Sequence, residues 1–308
     1  NLGDHGSSEV HPPSVVTPLE GIAAAGGWDG IDARHRDGPD TAGAAALAAA
    51  CDVAVVVVGS DFRDEGEWIV SVGGDRSSLR LRPADERLVA AVARANPKVV
   101  VVLLGGSAFV TDPWIDQVGA VLMAWYPGME GGHAIADVLF GEGEPGGRPP
   151  CPRPPTPKRY PPFRRRPRRV RYGPLHGYRL MEATGQQPAF WFGHGLGYGS
   201  TEWGAPRLVS VASGEGGARA AVIEVVLSNA GEREALDVVQ AYVPEVLGTH
   251  PEPLNALRGF ARVLLLPGAS TVVRLVVAVP ASADRVLVGR SADPAGLVAV
   301  RLGQAGPD

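Results

Sequence analysis

One loop holds most of the residues that could carry out acid–base chemistry. Five carboxyl groups fall in this short span, namely Asp61, Asp64, Glu65, Glu67 and Asp75. Clustered carboxylates repel one another, so their pKa values are expected to rise. A carboxyl group with a raised pKa stays protonated near working pH and can act as a general acid. The alternative is a solvated acidic turn with no chemical role.

Strands and helices alternate around this loop and must position it. Short β-branched runs predict strands over 52–59, 99–104 and 120–124, and helices are predicted over 18–25, 41–50, 83–96 and 132–140. Apolar strands that alternate with helices predict an α/β fold, with a mostly parallel sheet sandwiched by helices. Ligands bind such sheets outside the carboxyl ends of the strands. Three loops lie at those ends: Gly59–Asp61, Gly105–Ser107 and Trp125–Gly128.

The chain changes character twice after this region. Residues 148–171 are dense in Pro and Arg and cannot bury a core. Residues 148–205 are therefore predicted to be a linker, and the part up to 171 is either a genuine basic linker or the product of a shifted reading frame. From residue 206 to 308, short β-rich runs between Gly, Pro and Asn turns predict a small all-β sandwich. The α/β domain is accordingly predicted to cover residues 1–147.

Charge and composition argue against several classes of protein. Residues 148–171 hold ten Lys and Arg and no acid, and subtracting these from the net charge of −4 leaves −14 on the rest. Such an acidic surface argues against a nucleic-acid partner. No apolar run approaches the roughly 20 residues that span a bilayer, and the first residues do not form a signal peptide. We expect a soluble protein, more in keeping with the cytoplasm than with secretion.

Cysteine and histidine usage gives no reason to expect a bound metal or cofactor. Cys51 and Cys151 are the two cysteines, far apart in sequence, and no Cys/His spacing is typical of a zinc site. A disulfide framework would need more cysteines, so an oxidising compartment is not indicated. We therefore predict no cofactor. Oligomeric state stays open.

A series of short motifs runs in order along the chain. They are Gly3–Ser8, Val15–Ile22, Asp64–Trp68, Gly74–Leu79, Asn96–Leu103, Ala124–Gly132, Ala136–Gly141, His176–Arg179, Phe192–Tyr198, Asn229–Gly231, Val238–Tyr242 and Leu257–Phe260. In number and order they resemble glycoside hydrolase family 3, the β-glucosidase and β-xylosidase family. The resemblance implies that family's C-terminal portion, an α/β-sandwich domain followed by a fibronectin type III-like domain. The family's (β/α)8 barrel, which holds the catalytic Asp, would lie upstream.

The resemblance also assigns roles within the acidic loop. Glu65 takes the acid/base position, and Glu67 is the runner-up because a gap in matching the loop would exchange the two. Trp68 is a candidate for stacking on a sugar ring. Asp61 and the following Phe echo the nucleophile motif of the barrel, but they sit in the wrong domain. The Asp75–Arg76 pair is expected to fix the end of the loop through a carboxylate–guanidinium contact.

Other polar or aromatic residues are weaker candidates. His133 is interpreted as a residue at a helix start, and His194 as part of a turn near the domain junction. Trp125 and Tyr126, at a strand end, are interpreted as packing residues rather than sugar contacts. Gly105–Ser107 could suggest a phosphate loop, but neither a GxGxxG motif nor a Walker-type lysine accompanies it. A nucleotide-binding function is therefore rejected.

The resemblance predicts part of a retaining glycoside hydrolase. Its substrates would be β-glucosides or related β-glycosides, including oligosaccharides, and this chain would contribute the acid/base loop. The alternative is a non-catalytic carbohydrate-binding or interaction module derived from such an enzyme. Because a retaining mechanism needs two carboxyl groups, the chain by itself is predicted to be inactive.

Overall fold

The computed structural model describes residues 10–65, 76, 78–153, 169, 173–213 and 219–302, in two compact units. The first unit comprises the described residues up to Gly143. The second comprises Glu144–Arg153, Arg169 and the described residues from Gly173 onward. Most of the Pro- and Arg-rich run, and with it the choice between a linker and a shifted frame, lies outside the described residues.

A three-stranded parallel sheet forms the centre of the first unit. Its strands are β1 (Ala54–Gly59), β2 (Val99–Leu104) and β3 (Ala120–Trp125), in the order β1-β2-β3. Val56 of β1 lies beside Val101 of β2, and both belong to a buried cluster that also contains residues of the flanking helices. The α/β class with a parallel sheet is thus confirmed. In β1, Val56 and Val58 are buried, whereas Val55 and Val57 on the opposite face are exposed.

Helices α2 (Thr41–Ala49) and α4 (Pro83–Ala95) pack against each other, and α4 also contacts β1 and β2. Pro83 fits the first turn of α4, where a backbone N–H is not needed. Leu88, Val89 and Val92 are buried on one face of the helix, which packs into the core. The helix ends at Asn96, whose side-chain amide donates to the carbonyls of Ala48 and Cys51, both at 2.8 Å.

Helices α1 (Pro18–Asp29) and α5 (Gly131–Phe140) are in close contact at two glycines, Gly21 and Gly132. A Cβ added to Gly21 would lie 2.1 Å from the carbonyl oxygen of Gly132, so only a glycine permits this contact. A capping box between Thr17 and Glu20 begins α1. The structure therefore extends the predicted first helix at its C-terminal end and places α5 within one residue of its predicted start.

A one-turn helix, α3 (Phe62–Glu65), interrupts the segment predicted to be a loop from Asp61 to Ser78. The side chain of Asp61 accepts a hydrogen bond from the backbone N–H of Arg63 at 2.8 Å. An aspartate just before a helix satisfies its free N–H groups, and this explains the turn. The helix carries Glu65 at its last position. Residues 66–75 lie outside the described part of the chain.

The second unit is an antiparallel sandwich preceded by a short helix, α6 (Gly177–Thr184), which the sequence did not predict. One sheet has the order β11-β10-β7-β8, and in the other β4, β5 and β9 all pair with β6. The strands are β4 (Thr201–Trp203), β5 (Arg207–Ser213), β6 (Arg219–Asn229), β7 (Ala235–Glu245), β8 (Leu254–Leu265), β9 (Ser270–Val279), β10 (Arg285–Gly289) and β11 (Val298–Arg301). Inward-facing residues of both sheets form one core, so the predicted all-β sandwich is confirmed.

Candidate active site around Glu65

The loops that follow β1, β2 and β3 converge on the side chain of Glu65. Glu65 ends the short helix after β1, Gly106 and Ser107 follow β2, and Tyr126 follows β3. The carboxyl ends of parallel strands meet at one edge of a sheet, where α/β proteins place their ligand sites. Glu65 is the predicted acid/base residue, and the structure places it at the expected edge.

The carboxylate of Glu65 is fully engaged in hydrogen bonds. Its Oε1 accepts from the Arg76 Nη1 at 2.9 Å and from the Ser107 Oγ at 2.7 Å. Its Oε2 accepts from the Gly106 backbone N at 2.7 Å and from the Tyr126 hydroxyl at 2.6 Å. The side chain is only 7% exposed. This carboxylate is therefore buried and paired, unlike the solvated acidic turn that the sequence left as an alternative.

Arg76 is the charged partner of Glu65 and is itself 8% exposed. Its guanidinium also donates to the Ser107 Oγ at 2.7 Å and to the Ala108 carbonyl at 3.3 Å. The same guanidinium lies 4.4 Å from the centroid of the Phe109 ring, in cation–π geometry. The sequence predicted that Arg76 would fix the end of the loop by pairing with Asp75, and that pairing stays a prediction. Among the described residues the carboxylate that pairs with Arg76 is Glu65, whereas Asp75 lies outside them.

Unusual backbone at the ends of β2 and β3 makes this arrangement possible. A Cβ at Gly106 would lie 2.8 Å from the ring of Tyr126, so a larger residue would displace the tyrosine. The pairing of β2 with β3 shifts register at Leu103 and Leu104, and Trp125 adopts a left-handed backbone with φ of 55°. That conformation costs a bulky residue roughly 1–3 kcal/mol. It immediately precedes Tyr126, whose hydroxyl reaches Glu65.

The expected rise in carboxyl pKa values does not occur at Glu65 or at Asp61. Burial raises the pKa of Glu65, but hydrogen bonds from Tyr126, Gly106 and Ser107 and the charge of Arg76 outweigh burial, so its pKa lies below the ordinary value. The prediction of a raised pKa for Glu65 is therefore wrong in this conformation. The reason is that arginine and backbone N–H groups, rather than other carboxylates, surround it.

A second cluster at the start of α3 behaves in the same way. Arg82 bonds Asp61 at 2.8 Å and Asp64 at 2.5 Å. Burial raises the pKa of Asp61, yet its hydrogen bonds with Arg82 and Arg63 and their charges bring that pKa below its usual value. Asp61 is therefore a helix-start residue in an ion pair. Half-buried Asp85 differs, since burial raises its pKa.

Several predicted residues lie elsewhere. Glu67 and Trp68 fall outside the described residues, so their roles stay predictions. His133 sits in the first turn of α5, where its ring nitrogen contacts Glu130 at 2.7 Å. His194 forms a turn in the second unit, with its N–H bonded to the Trp191 carbonyl at 3.0 Å. Tyr126 is more than the packing residue that the sequence suggested, because it bonds Glu65.

The described residues show neither a metal site nor a membrane span. In the described parts of the chain, no group of three or more His, Cys, Asp or Glu side chains could hold a metal ion. No helix in those parts is long and apolar enough to cross a membrane. Both cysteines, which the structure describes, are free thiols.

Comparison with protein families matches most of the chain. The family described as "Glycosyl hydrolase family 3 C-terminal domain" matches residues 1–198. A second, described as "Fibronectin type III-like domain", matches residues 237–284. The two matches follow the order of the two structural units.

Relatives of known name support the same assignment. A β-glucosidase of Rhizobium radiobacter is 40% identical over 236 residues, which are 74% of this chain and 28% of the relative. Thermostable β-glucosidase B of Acetivibrio thermocellus is 34% identical over 288 residues, 87% of this chain and 36% of the relative. The matched part of the chain thus spans 28% to 36% of the length of these relatives.

Solved structures show the same fold. A β-D-glucoside glucohydrolase from Trichoderma reesei has a TM-score of 0.80 and 25% identity, and the match covers 97% of this chain and 47% of that one. A β-glucosidase from Kluyveromyces marxianus, solved with glucose, has a TM-score of 0.72 and 30% identity, over 87% of this chain and 33% of that one.

Proposed function

Because the chain belongs to glycoside hydrolase family 3, we propose that it forms the part of a retaining β-glycosidase that supplies the acid/base loop. The observation that carries this proposal is the attachment of the loop ends, at Glu65 and Arg76, to the carboxyl ends of the parallel strands. That edge is where α/β sheets bind ligands. The family match over residues 1–198 contains the whole of this arrangement.

The proposed reaction needs two carboxyl groups about 5–5.5 Å apart on either side of the scissile bond. A nucleophilic aspartate, expected in a barrel outside this chain, attacks the anomeric carbon and forms a glycosyl–enzyme ester. A protonated carboxyl group of the loop gives its proton to the leaving oxygen. The resulting carboxylate then takes a proton from water, which attacks the same carbon and releases both sugar and aspartate.

Glu65 and Glu67 are the two candidates for this proton transfer. The resemblance favours Glu65, and Glu67 is the runner-up. The proposed substrates are β-glucosides or related β-glycosides, since the relatives are named β-glucosidases and one solved structure contains glucose. Trp68, close to both candidates in sequence, is proposed to stack on the sugar beyond the cleaved bond.

The test compares two proteins: this chain joined to the barrel that would precede it (the joined polypeptide), and this chain alone. Aryl β-glucosides should be hydrolysed by the joined polypeptide and not by the chain alone, because the acid has no nucleophile to work with. Turnover by the isolated chain would contradict the proposal. Sugar binding without turnover in the joined polypeptide would favour the alternative, a non-catalytic carbohydrate-binding module.

Leaving groups then identify the acid. Replacing the true acid by Gln should slow substrates with poor leaving groups by roughly 10²–10⁴-fold, and activated substrates much less. Activated leaving groups depart without a proton, so they serve as the internal control. Equal losses on both substrate types, for Glu65→Gln and for Glu67→Gln alike, would show that the loop does not supply the acid.

A further inference from the structure

Strand β8 ends one sheet of the second unit, and much of its outer edge is uncovered. It is the last strand in the order β11-β10-β7-β8, so β7 pairs with it on one side. The backbone N–H groups of Asn255 and Leu257 donate to Glu182 and Tyr178 of α6, both at 3.0 Å. Among the described residues, no backbone group of residues 258–264 bonds a partner outside the sheet. Helix α6 therefore covers the beginning of the edge and leaves residues 258–264, the open edge, beyond it.

The neighbouring strand of the other sheet does not cover the open edge. A Cβ added to Gly259 would lie 3.6 Å from the side chain of Val277 on β9. Because the Cβ atoms of a strand point out of the plane of its sheet, β9 lies beneath β8 rather than beside it. The open edge is accordingly free to meet another chain.

The side chains along the open edge alternate between basic and apolar. Arg258, Phe260, Arg262 and Leu264 are exposed on the outer face, because successive side chains of a strand point to opposite faces. Phe260 is 68% exposed and Leu264 is 55% exposed. An edge strand with exposed apolar side chains is a template for pairing with another chain.

This alternation fits a second copy of the same strand. In an antiparallel pair with its twofold axis at Ala261, Phe260 lies opposite the partner's Arg262, and Leu264 lies opposite the partner's Arg258. An arginine can stack on an aromatic ring, and such cross-strand pairs stabilise a sheet. Moving the axis by one residue in either direction would place arginine opposite arginine, which is destabilising. The charges therefore select a single register along the open edge.

We propose that two copies of the chain form a dimer in which their β8 strands pair antiparallel along the open edge, about a twofold axis at Ala261. The pairing joins two four-stranded sheets into one continuous sheet. Arg258 keeps its ion pair with Glu245 of the same copy. Arg262 reaches towards Gly146 in the single chain, and as an exposed side chain it can turn to the partner's ring. Because the contact is short, it lies at the small end of specific interfaces, and the dimer should dissociate on dilution.

Sedimentation velocity of the full chain, at concentrations up to about 100 μM, measures this association. Phe260→Arg should raise the dissociation constant of the dimer at least about tenfold, because the twofold axis places two pairs of like charges opposite one another. Val276→Arg is the matched control, since Val276 is also 68% exposed but lies on β9, and it should leave association unchanged. A monomer at every concentration would overturn the proposal and leave the open edge to an unrelated extended segment.

Exchanging the two residues tests the register. The double variant Phe260→Arg/Arg262→Phe again places arginine opposite phenylalanine, so the dissociation constant should return to within about threefold of the parent value. Circular dichroism first establishes that each variant is folded. A folded double variant that stays monomeric would contradict the proposed register. Equal weakening by Phe260→Arg and Val276→Arg would show that the copies associate through apolar surface in general and not through β8.

A disulfide at the axis measures the geometry without relying on affinity. Cys51→Ala/Cys151→Ala removes the two native thiols. In that background, diamide should oxidise Ala261→Cys to a covalent dimer, because Cα atoms directly opposite in an antiparallel pair lie about 4.5–5.5 Å apart, within disulfide reach. Val263→Cys should stay reduced, since the two copies of that residue would lie about 13 Å apart along the strands. Equal cross-linking at both positions would contradict the proposed dimer.

Discussion

Two buried carboxylates, one in each unit, are held in similar ways but by different kinds of structure. Glu65 is 7% exposed and Asp237 is 5% exposed, and each pairs with one arginine. Asp237 accepts from Thr201 at 2.8 Å and from Trp203 at 2.7 Å, and it contacts Arg290 at 3.0 Å. Asp237 lies on β7, and both of its hydrogen-bonding side chains lie on β4.

The contrast lies in what each carboxylate holds in place. Strand pairing fixes β4 and β7 whether or not Asp237 is present, so Asp237 adds stability to a framework that other bonds already define. Glu65 bonds groups that lie on loops, where no ladder of backbone hydrogen bonds fixes their positions. We conclude that the same pattern of bonds stabilises a sandwich in one unit and orders a loop edge in the other.

The largest expected effect is on the stability of the first unit. Glu65→Ala leaves the 8% exposed guanidinium of Arg76 without its carboxylate, and breaking a buried pair in this way costs about 3–5 kcal/mol. Hydrogen exchange at the amides of β2 measures this loss. Glu86→Ala removes a carboxylate whose arginine is 49% exposed, so it should cost less than about 1 kcal/mol. Equal losses of stability in Glu65→Ala and Glu86→Ala would show that burial of the Glu65–Arg76 pair does not set the size of the effect.

A smaller loss is expected in the second unit. Asp237→Ala removes the acceptor of Thr201 and Trp203, and unsatisfied buried donors cost about 1–3 kcal/mol. The 53% exposed Arg290 regains water, which limits the total. Urea unfolding followed at the amides of β6 measures the change. Asp284→Ala, which removes an exposed pair with Arg285, should leave stability unchanged.

Acid should weaken the first unit through Glu65. Its folded-state pKa is lower than the ordinary 4.5, so its contribution is present above that pH and is lost as pH falls through the folded value. Asp61, whose pKa is also lowered, adds to the same trend. Protection of β2 amides, measured between pH 7 and pH 3, should fall less in Glu65→Gln than in the parent chain. Identical pH dependence in Glu65→Gln and the parent chain would show that Glu65 does not contribute to the loss of stability in acid.

The smallest effect on stability is expected from changes to the exposed valines on the face of β1 opposite the buried Val56 and Val58. Val53, Val55 and Val57 are 50%, 37% and 37% exposed, so three valines close together in sequence present apolar surface. Val55→Thr/Val57→Thr should raise solubility, measured by precipitation in ammonium sulfate, and change unfolding by less than about 1 kcal/mol. Unchanged solubility would show that these valines do not cause aggregation.

Local sequence patterns were sufficient to predict regular elements such as β2 and α4. The run Val99–Leu104 is β2 without adjustment, and Pro83 marks the start of α4, because β-branched runs and a first-turn proline act locally. Helix α6 was missed because it is only eight residues long, begins with a glycine and is followed by another, residues that are more typical of turns. The one-turn α3 was missed because an Asp cap inside a polar stretch looks the same as a turn.

The resemblance predicts Glu65 as the acid/base residue, and this role stays a prediction. The order of strands and helices predicts the edge of the sheet at which Glu65 lies. Its partners Ser107 and Tyr126 were not identified, although both follow directly on those strand ends. Their positions could have been anticipated from the parallel order of the strands. Which donor reaches which oxygen depends on a register shift and on the left-handed backbone of Trp125.

The sequence by itself determined the family, the α/β and all-β order of the two units, and the presence of an acidic segment beside β1. Those features depend on residue type and local spacing. Only the tertiary structure decided the electrostatic state of Glu65, because a carboxylate's pKa depends on which charges and donors surround it in space. Arg76 and Tyr126 are eleven and sixty-one residues away in sequence, yet both lie within 3 Å of its oxygens.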